Sequence, residues 1–156
     1  SKRATFKNTI PYKPINITPP IINKTTTKLI NEEKKHNILI VEDEEVNYLF
    51  IEILLTENLN CSILHAKNGE EAVKLCNDNS DIDIILMDIN MPVMNGFEST
   101  KQIRLFNSSI PIIAQTAYST PEDKEKAFEV GCNDFISKPI DKNVLNKIIN
   151  SYLSIN

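Results

Sequence analysis

The chain has 156 residues, enough for one ordinary domain and a tail. Its hydrophobic content of 41% is that of a soluble globular protein, and no apolar run is long enough to span a bilayer. The net charge of −4 divides into +6 for residues 1–35 and −10 for the remainder, and an acidic domain is a poor match for the phosphates of nucleic acid. The N-terminus lacks the apolar segment of a signal peptide. Cys61, Cys76 and Cys132 are scattered without metal-ligand spacing, as expected of reduced thiols in a cytoplasmic domain.

Residues 1–15 contain a short strand-like alternation that ends at Pro11. Residues 16–35 are rich in Thr, Asn, Lys and Pro, a composition that builds no core and reads as a flexible linker. From residue 36 to residue 156 the pattern is that of one folded domain. Asn37 to Val41 reads as a short buried strand ending in four acids, Glu42 to Glu45. Val46, Leu49, Phe50, Ile53 and Leu54 follow at helical spacing, which predicts a helix to about Glu57 with those residues on its apolar face. A second strand is expected over Ser62–Ala66, then a helix over Gly69–Asn77 with Ala72, Leu75 and Cys76 on one side.

The next stretch, residues 82–96, reads IDIILMDINMPVMNG. Its apolar run, interrupted only by Asp83, has the pattern of a strand buried on both faces. Asp88 ends that strand, and Asn90, Pro92, Asn95 and Gly96 supply turn signals. Ligands bind outside the carboxyl ends of strands in open α/β sheets, which makes Asp88 a candidate for chemistry. A helix cap or an acceptor for loop amides explains the same residue equally well. A third helix over Phe97–Phe106, with Phe97, Ile103 and Phe106 inward, leads to a strand over Ile110–Thr116. Thr120, Pro121, the early acids and Gly131 mark both ends of a fourth helix. Asp134 to Ser137 forms a fifth strand, followed by Lys138 and Pro139. Asp141 caps a last helix whose stripe is Val144, Leu145, Ile148, Ile149 and Tyr152.

Strands alternating with helices imply a parallel sheet covered on both faces, for which right-handed crossovers leave few topologies; one is the doubly wound, flavodoxin-like α/β sheet of order 2-1-3-4-5. In that arrangement Glu42 and Asp43, Asp88, Thr116 and Lys138 lie on one edge. Close carboxylates repel unless a cation joins them, and oxygen-only ligands favour magnesium. A lysine and a hydroxyl opposite would complete a pocket for a transferred phosphoryl group. Each residue has a plain structural explanation: a cap for Asp43, a core hydroxyl for Thr116, a solvated amine for Lys138. Their joint occurrence at four strand ends is hard to obtain that way.

The motifs VEDEEVN at 41–47, LMDINMPVMNG at 86–96, IIAQTAYS at 112–119 and DFISKPI at 134–140 resemble the receiver domain of response regulators in two-component signalling. The resemblance implies that Asp88 is the phosphoacceptor and that magnesium is held by Asp43, Asp88, the backbone carbonyl of Asn90, and Glu42 directly or through water. It further implies that Thr116 and Lys138 bind the phosphoryl group and that Thr116 and Phe135 act as the switch. Many receivers have tyrosine at the Phe135 position; phenylalanine keeps the packing and loses the hydroxyl. Tyr118 and Asn90 would sit at the rim and set the lifetime of the acyl phosphate, and the Lys138–Pro139 peptide would be cis. The fourth helix, fifth strand and last helix would form an output face, with Phe128, Asn133 and Lys142 as candidates.

The segment ATFKNTIPYKP is similar to the last strand of the ATP-binding domain of sensor histidine kinases. The resemblance implies a receiver at the C-terminus of a hybrid histidine kinase, itself open to a membrane anchor upstream. The implied partner is a histidine kinase or histidine-phosphotransfer domain, with no nucleic-acid binding. Alternatives are a stand-alone response regulator, a magnesium-dependent aspartyl-phosphate phosphohydrolase, and a degenerate receiver that only binds. Asn90 cannot serve as the acid that the phosphohydrolase would need, so slow self-phosphorylation and slow dephosphorylation are the activities expected. His36 and His65 lack partners at catalytic or ligand spacing and read as surface or strand-end residues.

Overall fold

The computed structural model describes residues 33–154, together with Asn16. The kinase-like segment 1–15 and most of the linker expected over 16–35 lie outside the described residues. The strands are β1 (His36–Val41), β2 (Cys61–Ala66), β3 (Ile84–Asp88), β4 (Ile112–Thr116) and β5 (Asp134–Ser137). The helices are α1 (Glu45–Thr56), α2 (Gly69–Asp78), α3 (Gly96–Phe106), α4 (Pro121–Val130) and α5 (Lys142–Leu153). The strands form one parallel sheet in the order β2-β1-β3-β4-β5, the doubly wound, flavodoxin-like order expected.

Apolar side chains on both faces of the central strands explain their near-continuous hydrophobic sequences. Leu39, Val41, Ile85, Met87, Ile112 and Ala114 face a layer built with α2, α3 and α4. Ile38, Ile40, Ile84, Leu86 and Ile113 face a second layer with α1 and α5. Asp83 interrupts the apolar run because it lies just before β3. It accepts the Asn37 amide at 2.9 Å and the Lys34 ammonium at 3.1 Å. Burial alone would raise this carboxyl, but those two donors hold it below the usual carboxylate range.

Local chemistry fixes the helix ends. Asn68, Asn95, Thr120 and Asp141 each accept an amide of the first turn that follows, satisfying donors that the helix leaves free. Pro111 precedes β4, and the strand begins two residues after the expected Ile110.

The largest departure from expectation is the inward face of α1. Ile51, Leu54 and Leu55 are buried, whereas Val46 (78%), Leu49 (45%), Phe50 (48%) and Ile53 (53%) are exposed. The helix is apolar nearly all round, so periodicity places Leu54 inward correctly but misassigns the other four residues of the stripe. Phe106 of α3 and Val144 of α5 are likewise exposed rather than inward. Asn133 is exposed and also has a structural role. Its Oδ1 accepts Arg104 Nη2 and the Ile112 amide, both at 2.9 Å.

Gly96, at the start of α3, lets that helix approach the end of β3. A Cβ there would lie 2.2 Å from the Asp88 carbonyl oxygen and 2.9 Å from Ile89 Cα, both backbone atoms. Gly96→Ala must therefore push α3 away from the strand end. The variant is expected to lose about 1–3 kcal/mol of stability, as overpacked sites do, measured by urea unfolding.

Candidate functional site

The parallel sheet delivers three strand ends to one place. Glu42 follows β1, Asp88 closes β3, and Lys138 follows β5. Carboxylate oxygens of Glu42, Asp43 and Asp88 all lie within 4.8 Å of one another. Lys138 reaches across from β5, with Nζ 2.7 Å from Glu42 Oε2 and 3.0 Å from Asp88 Oδ2. Asp43, Asp88, Asn90 and Lys138 line a cavity of about 240 Å³ with Glu44, Asn47 and Ala117.

The acids differ in environment. Glu42 is fully buried, Asp88 is 3% exposed, and Asp43 is open to solvent. Burial pushes the Asp88 carboxyl up to about 6; Lys138 pulls it down and the neighbouring Glu42 carboxylate raises it further. Burial would lower the Lys138 ammonium, but Glu42 and Asp88 together hold it above the ordinary lysine range. Lys138 is therefore a fixed positive charge beside a carboxylate that resists ionising. Asp88 Oδ1 also accepts the Asn90 amide at 3.1 Å, which shapes the turn after β3.

Two candidate residues are placed differently from the pocket liners. Thr116 is buried at the end of β4, but its hydroxyl is occupied in the β4–α4 loop. It donates to the Tyr118 carbonyl at 2.8 Å and accepts the Tyr118 amide at 3.1 Å. Phe135 stands outside the cavity on β5. The Phe128 ring meets it edge-on at 6.3 Å, and the Lys124 ammonium lies 4.4 Å from its centroid. The Tyr118 side chain is exposed at 66%. The Lys138–Pro139 peptide is cis, as the motif implies.

Sequence reasoning missed a second, more apolar hollow beside the acids. Glu42, Asn47, Phe50, Ile51, Pro139 and Ile140 line it together with Lys138, in a volume of about 330 Å³. It connects the acidic edge of the sheet to the exposed stripe of α1. The only signal in the sequence was the excess of apolar residues on that helix.

The family model for the response regulator receiver domain matches residues 38–150. Hybrid signal transduction histidine kinase I of Dictyostelium discoideum is 37% identical over 74% of this chain, and the chain spans 7% of that kinase. The receiver domain of Ssk1 from Saccharomyces cerevisiae, solved with the histidine phosphotransfer protein Ypd1, superposes with a TM-score of 0.71 at 35% identity, covering 76% of this chain and 88% of that one. The receiver domain of sensor histidine kinase PA1611 from Pseudomonas aeruginosa has a TM-score of 0.71 at 32% identity, covering 78% of this chain and 99% of that one. That structure holds a magnesium ion in its active-site cleft. With the flavodoxin-like topology and the convergence of Asp43, Asp88 and Lys138, these matches establish that the chain belongs to the response regulator receiver family and is a phosphorelay receiver domain.

Proposed function

We propose that Asp88 is the phosphoacceptor, taking a phosphoryl group from a histidine of a partner protein. The observation that carries this reading is the meeting of a buried Asp88 with Lys138, Glu42 and Asp43 at one edge of the sheet. An Asp88 carboxylate oxygen attacks phosphorus, the phosphorus–nitrogen bond of the phosphohistidine breaks, and the imidazole leaves with the electron pair. The product is an acyl phosphate. Lys138 neutralises one side of the reacting group, and its fixed charge suits the negative charge that develops there.

The remaining donors are all oxygen, which fits a hard divalent cation. Asp43, Asp88, the Asn90 carbonyl and Glu42, directly or through water, would hold magnesium. Magnesium would supply positive charge opposite Lys138. Asp43 stays exposed, so the cation has an open approach. Thr116 joins the site by exchanging its bond to the Tyr118 carbonyl for one to a phosphoryl oxygen. That exchange frees the β4–α4 loop and the space near Phe135, which turns inward as the switch. Tyr118 and Asn90 at the rim govern access of water to the acyl phosphate.

The partner is a histidine-phosphotransfer or histidine-kinase domain, as in the complex solved for the Ssk1 receiver. The donor histidine must reach Asp88 through the open edge, so its protein must cover that edge. The apolar stripe of α1 and the hollow under Phe50 adjoin it, and they give such a partner an apolar landing site. The relationship to a hybrid kinase and the kinase-like segment 4–14 support a place downstream of a kinase domain in a cytoplasmic hybrid-kinase segment. Among the described residues no helix is long and apolar enough to cross a membrane.

Intact mass after incubation with magnesium and a small-molecule phosphodonor is expected to show one labile phosphoryl adduct. Removing magnesium, or Asp88→Asn, should abolish it; rapid phosphate release without an adduct would instead identify a phosphohydrolase. Phe50→Glu is expected to slow transfer from a histidine-phosphotransfer protein by about tenfold or more, on the scale of a lost interface anchor. The same variant should leave phosphorylation by the small donor unchanged, as read by mass. The raised pKa of Asp88 gives a third prediction. The fold binds this proton more tightly than the unfolded chain, so stability falls as pH rises from about 4 through about 6. Without divalent ions, Asp88→Asn should have a melting temperature close to wild type near the lower pH. It should become the more stable protein above the upper one, by several degrees in a thermal scan.

A further inference from the structure

His65 occupies the end of β2, on the edge of the sheet beside Glu42. Its Nε2 lies 2.8 Å from the Glu42 carbonyl oxygen. A carbonyl only accepts, so Nε2 carries the proton and donates. Its ring stacks on Tyr48 of α1, with centroids 3.6 Å apart and planes within 4°.

This contact fills a defined gap in the β1–β2 ladder. The last rung between the strands is the Glu42 amide donating to the Ala66 carbonyl at 3.0 Å. Beyond Ala66 the chain turns into α2. The Lys67 amide is taken by Glu71 Oε2 at 2.8 Å, and Asn68 caps the helix. No backbone donor of β2 therefore continues the ladder to the Glu42 carbonyl, and the imidazole supplies the rung instead. Tyr48 braces the other side. Its amide closes the first turn of α1 onto the Glu44 carbonyl at 3.0 Å, and its hydroxyl donates to Glu52 at 2.8 Å. The turn bearing Glu42 is thus tied to a ring on β2 that is itself stacked on a ring from α1.

We propose that His65 is a positioning residue for the divalent-cation site, fixing the backbone of Glu42 and so the aim of the Glu42 and Asp43 carboxylates. Magnesium demands near-ideal octahedral placement of its oxygens, and groups that orient ligands from behind tune metal affinity. The inference rests on the reading of Glu42 and Asp43 as cation ligands. It goes beyond that reading by assigning a role to a histidine that touches neither the cation nor the phosphoryl group.

The test is magnesium binding by isothermal titration calorimetry on the full chain, comparing wild type, His65→Leu and His65→Gln. Leucine keeps apolar bulk and removes the donor; glutamine restores an N–H within reach of the carbonyl. His65→Leu is expected to weaken magnesium binding about tenfold, and His65→Gln to recover a substantial part of that loss. Amide hydrogen exchange in the magnesium-free protein should be faster at Asp43 and Glu44 in His65→Leu and should return toward wild type in His65→Gln. Phosphorylation of His65→Leu at saturating magnesium should stay close to wild type. Equal magnesium affinity in wild type and His65→Leu, or equal loss in Leu and Gln variants with a lowered melting temperature, would reduce His65 to a packing residue. A wild-type protein with no saturable magnesium isotherm would overturn the cation reading itself, and the inference with it.

Discussion

The Lys138 ammonium, clasped between Glu42 and Asp88, is the interaction on which the site depends. Two carboxylates buried this deeply and this close would repel, and each would lose its hydration. One cation from β5 reconciles them at 2.7 and 3.0 Å. The parallel sheet makes the meeting possible, because parallel strands bring all their carboxyl ends to one edge. Order matters as much as direction: β1 and β3 are neighbours, so their terminal acids converge, while β5 stands two places from β3 and three from β1 and needs a long side chain to reach them. Lysine has that reach and a compact charge at its tip.

The arrangement also explains why the acids are unequal. Glu42 uses every polar group it has: its amide on Ala66, its carbonyl on His65, one carboxylate oxygen on Lys138 and the other on the Glu44 amide at 3.2 Å. It belongs to the framework as much as to the pocket. Asp43, exposed one residue later, retains its freedom to take a ligand. Asp88 lies between these extremes, buried yet facing the cavity, with burial favouring its protonated form.

Much of this was legible in the sequence because it rested on patterns of fixed period and on strand-end positions. Asp88 after an all-apolar run, Lys138 before Pro139, and the Thr120–Gly131 helix signals each located an element to within a residue or two. What escaped had no periodic signature. In α1, apolar residues surround the helix, and only packing against β1 selects Ile51, Leu54 and Leu55 as the inner face. Thr116 was placed correctly on the chain, but the direction of its hydroxyl is decided by the Tyr118 backbone, a contact that spacing does not encode. His65 looked like an isolated histidine, because its partner is a carbonyl of another strand and becomes visible only when β2 lies beside β1.

The two apolar layers of the sheet carry a consequence for how such a domain diversifies. The α1 stripe and the hollow under Phe50 belong to one layer; Phe135, Phe128 and the α4 surface belong to the other. Between them the sheet is a wall, and the strand-end residues at its rim are the part held in common. Substitutions can accumulate on one side without repacking the other. A lineage that duplicates this domain can therefore vary its two faces separately, keeping Asp88, Lys138 and their neighbours in common.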